Sequence, residues 1–116
     1  MQNVILIGEQ LSLSILHEAF SESPFKMVMV NESRLSGICS DGHIYLDNIS
    51  SEVPFEYEPE ELNIILDFFQ APQFISLWYS SEAVRIKAVK TISAKIQNLL
   101  LDNDNGNIIP LIDCLK

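Results

Sequence analysis

Residues 74–101 read FISLWYSSEAVRIKAVKTISAKIQNLLL, and this stretch carries the most complete fold signal in the chain. Phe74–Tyr79 is rich in aromatic and β-branched side chains, the composition of a strand. Ser80 or Ser81 follows as a helix N-cap, with Glu82 in the first turn, where the helix macrodipole favours a negative charge. Val84, Ala88, Val89, Ile92, Ile96 and Leu99 then recur at helical spacing, while Arg85, Lys87, Lys90 and Lys95 occupy other faces. A strand, a capped amphipathic helix and a second apolar run make a β-α-β-like half.

Upstream, the polar, acidic, Pro-containing stretch 50–61 (SSEVPFEYEPEE) reads as a loop. Pro59 sits where a helix can begin, because its missing N–H would be unpaired there in any residue. Leu62, Ile65, Leu66 and Phe69 supply that helix with an apolar stripe that ends before Ala71-Pro72. Leu35–Ser40 and His43–Ile49 flank Asp41-Gly42, a dipeptide suited to a type I′ hairpin with positive φ at both central residues. Phe25–Val30 is a nearly continuous apolar strand. Before it, Leu13, Leu16 and Phe20, with Ile15 and Ala19, mark a helix that stops short of Pro24. Asn3–Gly8 is the first strand. At the other end, Leu99–Asp102 and Ile108–Leu115 surround Asn105-Gly106 as a second hairpin. Pro110 lacks a ladder donor, which assigns the last strand to a sheet edge.

The element order is therefore β-α-β-β-β-α-β-α-β-β. It predicts one α+β domain over residues 1–116: a sandwich of about three helices on a mixed or antiparallel sheet, with a ferredoxin-like arrangement as a candidate relative. The size fits a single domain with its own core.

Charge is segregated along the chain. Residues 35–84 contain nine acids (Asp41, Asp47, Glu52, Glu56, Glu58, Glu60, Glu61, Asp67, Glu82) and no Lys or Arg, which equals the whole formal net charge of −9. Residues 85–95 carry four basic side chains and no acid. A coherent acidic face repels nucleic acid and anionic membrane and attracts basic proteins. The opening residues lack a basic flank and a cleavage signal, so the expected location is the cytoplasm. Cys39 and Cys114 read as reduced, buried thiols.

Motifs for chemistry are sparse. Gly8-Glu9-Gln10 is no dinucleotide fingerprint, and no phosphate-loop motif occurs. Asp102-Asn103-Asp104-Asn105-Gly106 begins like a calcium loop, but its glycine comes one place early and Pro110 interrupts it, so a turn is the better reading. Cys39 and His43 flank one turn, yet two ligands do not make a structural zinc site. His17 lies on a helix, and His43 stands near Asp41 and Asp47 without a nucleophile motif. The expectation is a protein without catalytic residues, cofactor or metal.

FISLWYSSEAVRIKAVKTISAKIQ, followed by LLLDNDNGNIIPLIDCL and combined with the acidic middle, resembles the small immunity proteins of bacterial polymorphic-toxin systems, including contact-dependent inhibition and Rhs-type systems. The resemblance covers about half the chain. It implies a cytoplasmic protein that binds and neutralises a cognate toxin domain, often a basic nuclease. The expected contacts are Asp47, Phe55, Glu56, Tyr57, Glu58, Glu60, Glu61 and Asp67, with Phe55 and Tyr57 as exposed anchors between the acids. Two other readings stand beside it: a small regulatory or ligand-binding α+β module dimerising through a sheet edge, and a small enzyme using His43 with Asp41 or Asp47.

Overall fold

The computed structural model describes residues 2–51, 57–103, 108–111 and 113. Along the chain come β1 (Gln2–Glu9), α1 (Leu13–Ala19), β2 (Lys26–Asn31), β3 (Arg34–Cys39), β4 (Gly42–Asn48), α2 (Pro59–Phe68), β5 (Pro72–Tyr79), α3 (Glu82–Lys95), β6 (Leu100–Asp102) and β7 (Ile108–Pro110). This is the order expected from sequence. The α+β class holds, and the choice between a mixed and an antiparallel sheet resolves to antiparallel at every pairing among the described residues.

All seven described strands join one sheet in the order β2-β3-β4-β5-β1-β6-β7. β1 runs antiparallel to both neighbours, β5 and β6, so β5 and β6 are parallel to each other with β1 between them. β5-α3-β6 is thus a split β-α-β unit, the connection that defines ferredoxin-like halves. The first crossover, β1-α1-β2, spans three intervening strands and carries the chain to the far edge.

Strand alternation then divides the side chains between two layers. Val4 and Leu6 face a core built with Ile44, Leu46, Ile75 and Leu77, covered by Leu13 and Leu16 of α1 and by Val84, Ala88, Val89 and Ile92 of α3. Ile7, Phe74 and Leu100 face the other way and meet Ile65 and Phe69 at α2. Removing a fully buried aliphatic side chain from water stabilises by roughly 1.5–3 kcal/mol. The larger first layer is therefore the main source of stability.

Helix ends follow local chemistry. Ser12 and Ser81 cap α1 and α3 by accepting from the backbone N–H of Ile15 and Val84. Glu58 and Glu61 form a reciprocal capping box around Pro59 at the start of α2,. After α3, Asn98 takes a left-handed φ of 62°, which Asn tolerates, and turns the chain into β6,. α2 ends at Phe68, short of the expected Ala71-Pro72, and β5 begins at Pro72, two residues before the expected Phe74. Ile15 points outward rather than into the apolar stripe of α1, because α1 is only two turns long and packs through Leu13, Leu16 and Ala19,.

The central hairpin forms one residue earlier than its Asp-Gly signal suggests. Cys39 pairs with Gly42, so Ser40 and Asp41 occupy the turn. Asp41 keeps a negative φ, while Gly42 lies at φ 141° with Ser80 packed against its Cα, leaving no room for a side chain,. Tertiary contacts impose that register. Ser80 and His43 exchange hydrogen bonds (Ser80 N–H to His43 carbonyl, 3.1 Å; His43 N–H to Ser80 Oγ, 3.0 Å). The Ser81 hydroxyl donates to the Asp41 carbonyl at 3.0 Å. The second hairpin pairs β6 with β7, which forms a sheet edge as expected from Pro110; its Asn105-Gly106 turn lies outside the described residues.

Ser81 therefore caps α3 and also anchors the hairpin. Ser81→Ala should lower unfolding free energy by about 1–2 kcal/mol in urea denaturation, at the upper end for a lost cap. Ser14→Ala, on the exposed side of α1, should change it by less than about 0.5 kcal/mol.

Candidate partner interface

The carboxylates of the acidic middle have different fates in the fold. Asp47 sits directly across from Arg34 in the β3–β4 ladder. The guanidinium grips it bidentately, Nε to Oδ1 at 2.6 Å and Nη2 to Oδ2 at 2.9 Å. Arg34 also lies 4.8 Å above the Tyr45 ring. Asp41 pairs with Lys87 of α3, whose ammonium is held above its ordinary pKa by that carboxylate. Glu82 pairs with Arg85, and Lys95 reaches Glu22 at 3.5 Å. Most of the basic stretch on α3 is thus matched within the molecule, and Asp47 is neutralised rather than presented.

The carboxylates of α2 form no ion pair among the described residues. Glu58 and Glu61 serve the capping box and remain at the surface, and Glu60 and Asp67 are exposed. Helical spacing places Glu60, Ile64, Asp67 and Phe68 along one outward stripe, since each lies three or four residues from Ile64 or from its neighbour. Ile64 is 46% exposed and Phe68 61% exposed. Leu66, expected in the buried stripe, is exposed as well, because Ile65 and Phe69 alone carry α2's deep contacts with the sheet. An apolar centre rimmed by acids is the composition of an interface that anchors a partner and steers it by charge.

Phe68 also forms one wall of a groove of about 520 Å³ between the end of α2 and strands β6 and β7, with Asn98 and Pro110 opposite and Glu9 at its side. The Glu9 carboxylate accepts the Ala71 backbone N–H at 3.2 Å, which fixes the α2–β5 connection against β1. The groove can take a long side chain from a partner, with a carboxylate available to a cationic tip.

Among the expected contact residues, the fold brings Glu58, Glu60, Glu61 and Asp67 together on α2 and moves Asp47 to the open sheet surface beyond it. Phe55 and Glu56 lie outside the described residues. Tyr57 departs from its expected role as an exposed anchor: it is half-buried against Phe74, and its hydroxyl donates to Asp102 at 2.9 Å. The exposed apolar residues of this stripe that sequence reasoning missed are Ile64 and Phe68. Ile64 lies between Glu60 and Asp67 in the sequence and Phe68 directly follows Asp67, but the expected apolar stripe of Leu62, Ile65, Leu66 and Phe69 drew attention away from both.

The other candidate chemistries separate in the same way. Cys39 packs toward the α1/α3 core, whereas His43 points to the opposite sheet face and sets its ring edge against Tyr45 at 5.4 Å,. The pairing of Cys39 with Cys114 lies outside the described residues. Asp41 and Asp47, the carboxylates considered for His43, are engaged by Lys87 and Arg34.

No protein family, no curated protein and no solved structure matches the chain. No helix among the described residues is long and apolar enough to cross a membrane.

Arg85 lowers the Glu82 carboxyl below its ordinary pKa, chiefly through its hydrogen bond. A depressed carboxylate contributes stability above its unfolded-state pKa and loses it as pH falls through the folded value. The contribution of Glu82 should therefore be complete at neutral pH and disappear only below the usual carboxylate range. Arg85→Ala should move the Glu82 carboxyl midpoint upward in an NMR titration.

Proposed function

We propose that this chain is a non-catalytic protein-binding domain that neutralises a basic partner, in the manner of an immunity protein acting on its cognate toxin domain. The observation that carries the proposal is the outward stripe of α2, where Ile64 and Phe68 stand beside Glu60 and Asp67. Those carboxylates are unspent in a molecule that pairs many of its other charges internally. A toxin that acts on nucleic acid must present a positive groove to phosphates, and a negative stripe with an apolar centre can occupy that groove. The resemblance to toxin-immunity proteins points to the same partner chemistry. Charge speeds encounter, and the aromatic anchor slows release.

Glu60 and Asp67 are the charges to test, because reversal of Glu58 or Glu61 would also disrupt the start of α2. The partner is sought in the neighbouring gene, as the variable C-terminal domain of a large secreted protein, and binding is measured by stopped-flow and surface plasmon resonance. Glu60→Lys with Asp67→Lys should slow association at least tenfold at low salt, with the difference shrinking as salt rises. Phe68→Ala should leave thermal stability nearly unchanged and speed dissociation about tenfold or more, corresponding to an anchor of about 1.4 kcal/mol or above. Cells expressing the toxin domain should be rescued by the wild-type chain and not by the triple variant. Association unaffected by the charge reversals would rule out docking through α2.

A further inference from the structure

We infer that β2 is the seam of a twofold-symmetric homodimer, in which the edge strand pairs antiparallel with β2 of a second copy and extends the sheet across both molecules. This surface is separate from the α2 stripe and does not depend on the function assigned to that stripe.

Among the described residues, β2 is the terminal strand on its side of the sheet, paired with β3 alone. A strand so placed leaves one row of backbone groups without ladder partners, and proteins ordinarily cover or blunt such a row. Here the run KMVMVN carries Val28 at 61%, Met29 at 42% and Val30 at 54% exposure. On the adjoining strand Ile38 is 56% exposed and is the direct neighbour of Lys26, so the apolar surface continues inward from the edge.

Charge selects a second copy as the occupant. From Ser23 to Asn31 the only charged residue is Lys26, although the chain as a whole carries −9. Two such acidic molecules meet little repulsion where they approach through this strand. The carboxylates of α2 stay away from the seam, since α2 packs over Ile7, Phe74 and Leu100 on β1, β5 and β6. The strand is also self-complementary. In antiparallel pairing centred on Met29, Val28 faces Val30 of the second copy, and Lys26 faces Glu32 in the β2–β3 turn; symmetry makes each contact twice. Neither Lys26 nor Glu32 forms an ion pair among the described residues. A bulge between Met29 and Asn31 twists the strand and shortens the regular seam, so the dimer is weak and concentration-dependent,.

The full chain is examined by sedimentation velocity and equilibrium over a micromolar to sub-millimolar series, at an ionic strength that screens the net charge. The wild type should shift from monomer to dimer and no further, because pairing closes the symmetry. Lys26→Glu turns both ion pairs into repulsions and should raise the dissociation constant about tenfold. Combining Lys26→Glu with Glu32→Lys restores the pairs in exchanged positions and should return it to within about threefold of wild type. Val28→Lys should abolish the dimer, and circular dichroism confirms that each variant remains folded. A wild type monomeric throughout the series overturns the inference, whether the edge is left bare or taken by a strand of another protein. So does a dimer indifferent to Val28→Lys, or a charge exchange that fails to restore association in a folded variant.

Discussion

The burial of β1 on both faces is the constraint on which the molecule depends. Leu6 and Ile7 are adjacent and both fully enclosed, one under α1 and α3, the other under α2. Alternating geometry makes that possible only for a strand covered by separate layers above and below. It also requires pairing on both edges, since an unpaired backbone at that depth would cost free energy comparable to lost hydrogen bonds. β5 and β6 meet the requirement, and α3 connects them across the intervening strand. β4, β3 and β2 spread outward from β5 on one side, and β7 lies beyond β6 on the other.

The two helical layers are unequal, and the inequality gives the surface its character. α1 and α3 bury a broad apolar face against the sheet and tie the central hairpin to the α3 N-terminus through Ser80, Ser81 and Lys87. α2 holds on chiefly through Ile65 and Phe69. A helix anchored so narrowly exposes most of its circumference, which here carries both carboxylates and large apolar side chains. The same limited coverage leaves the sheet open toward β2, where Val28 and Ile38 meet water. Exposed apolar surface arises in this protein where the second layer ends.

Electrostatics is redistributed between chain and fold. A block of acids that appears uniform in sequence separates into carboxylates that tie elements together and carboxylates that remain at the surface. Asp41 joins the hairpin to α3, and Asp47 joins β4 to β3. Each meets a base remote in sequence, so local composition could not distinguish it from Glu60 or Asp67, whose neighbours are mostly acidic or apolar.

The amino-acid sequence by itself determined the elements: their order, their type, the start of α3 at the Ser80-Ser81 pair and of α2 at Pro59, and the edge position of the strand containing Pro110. These follow from periodicity, proline geometry and capping, which act over a few residues. The α2 carboxylates were legible for the same reason, since adjacent acids remain adjacent on a helix. Only the tertiary structure decided which apolar runs become interior. KMVMVN, with the appearance of a buried strand, lies at the edge because the first crossover carries it past three others, and Ile64 and Phe68 face outward because Ile65 and Phe69 satisfy α2's packing. Tyr57 turned inward to Asp102 across 45 residues of chain. Exposure and ion-pair partners depend on contacts between distant segments, and no local pattern encodes which segments meet.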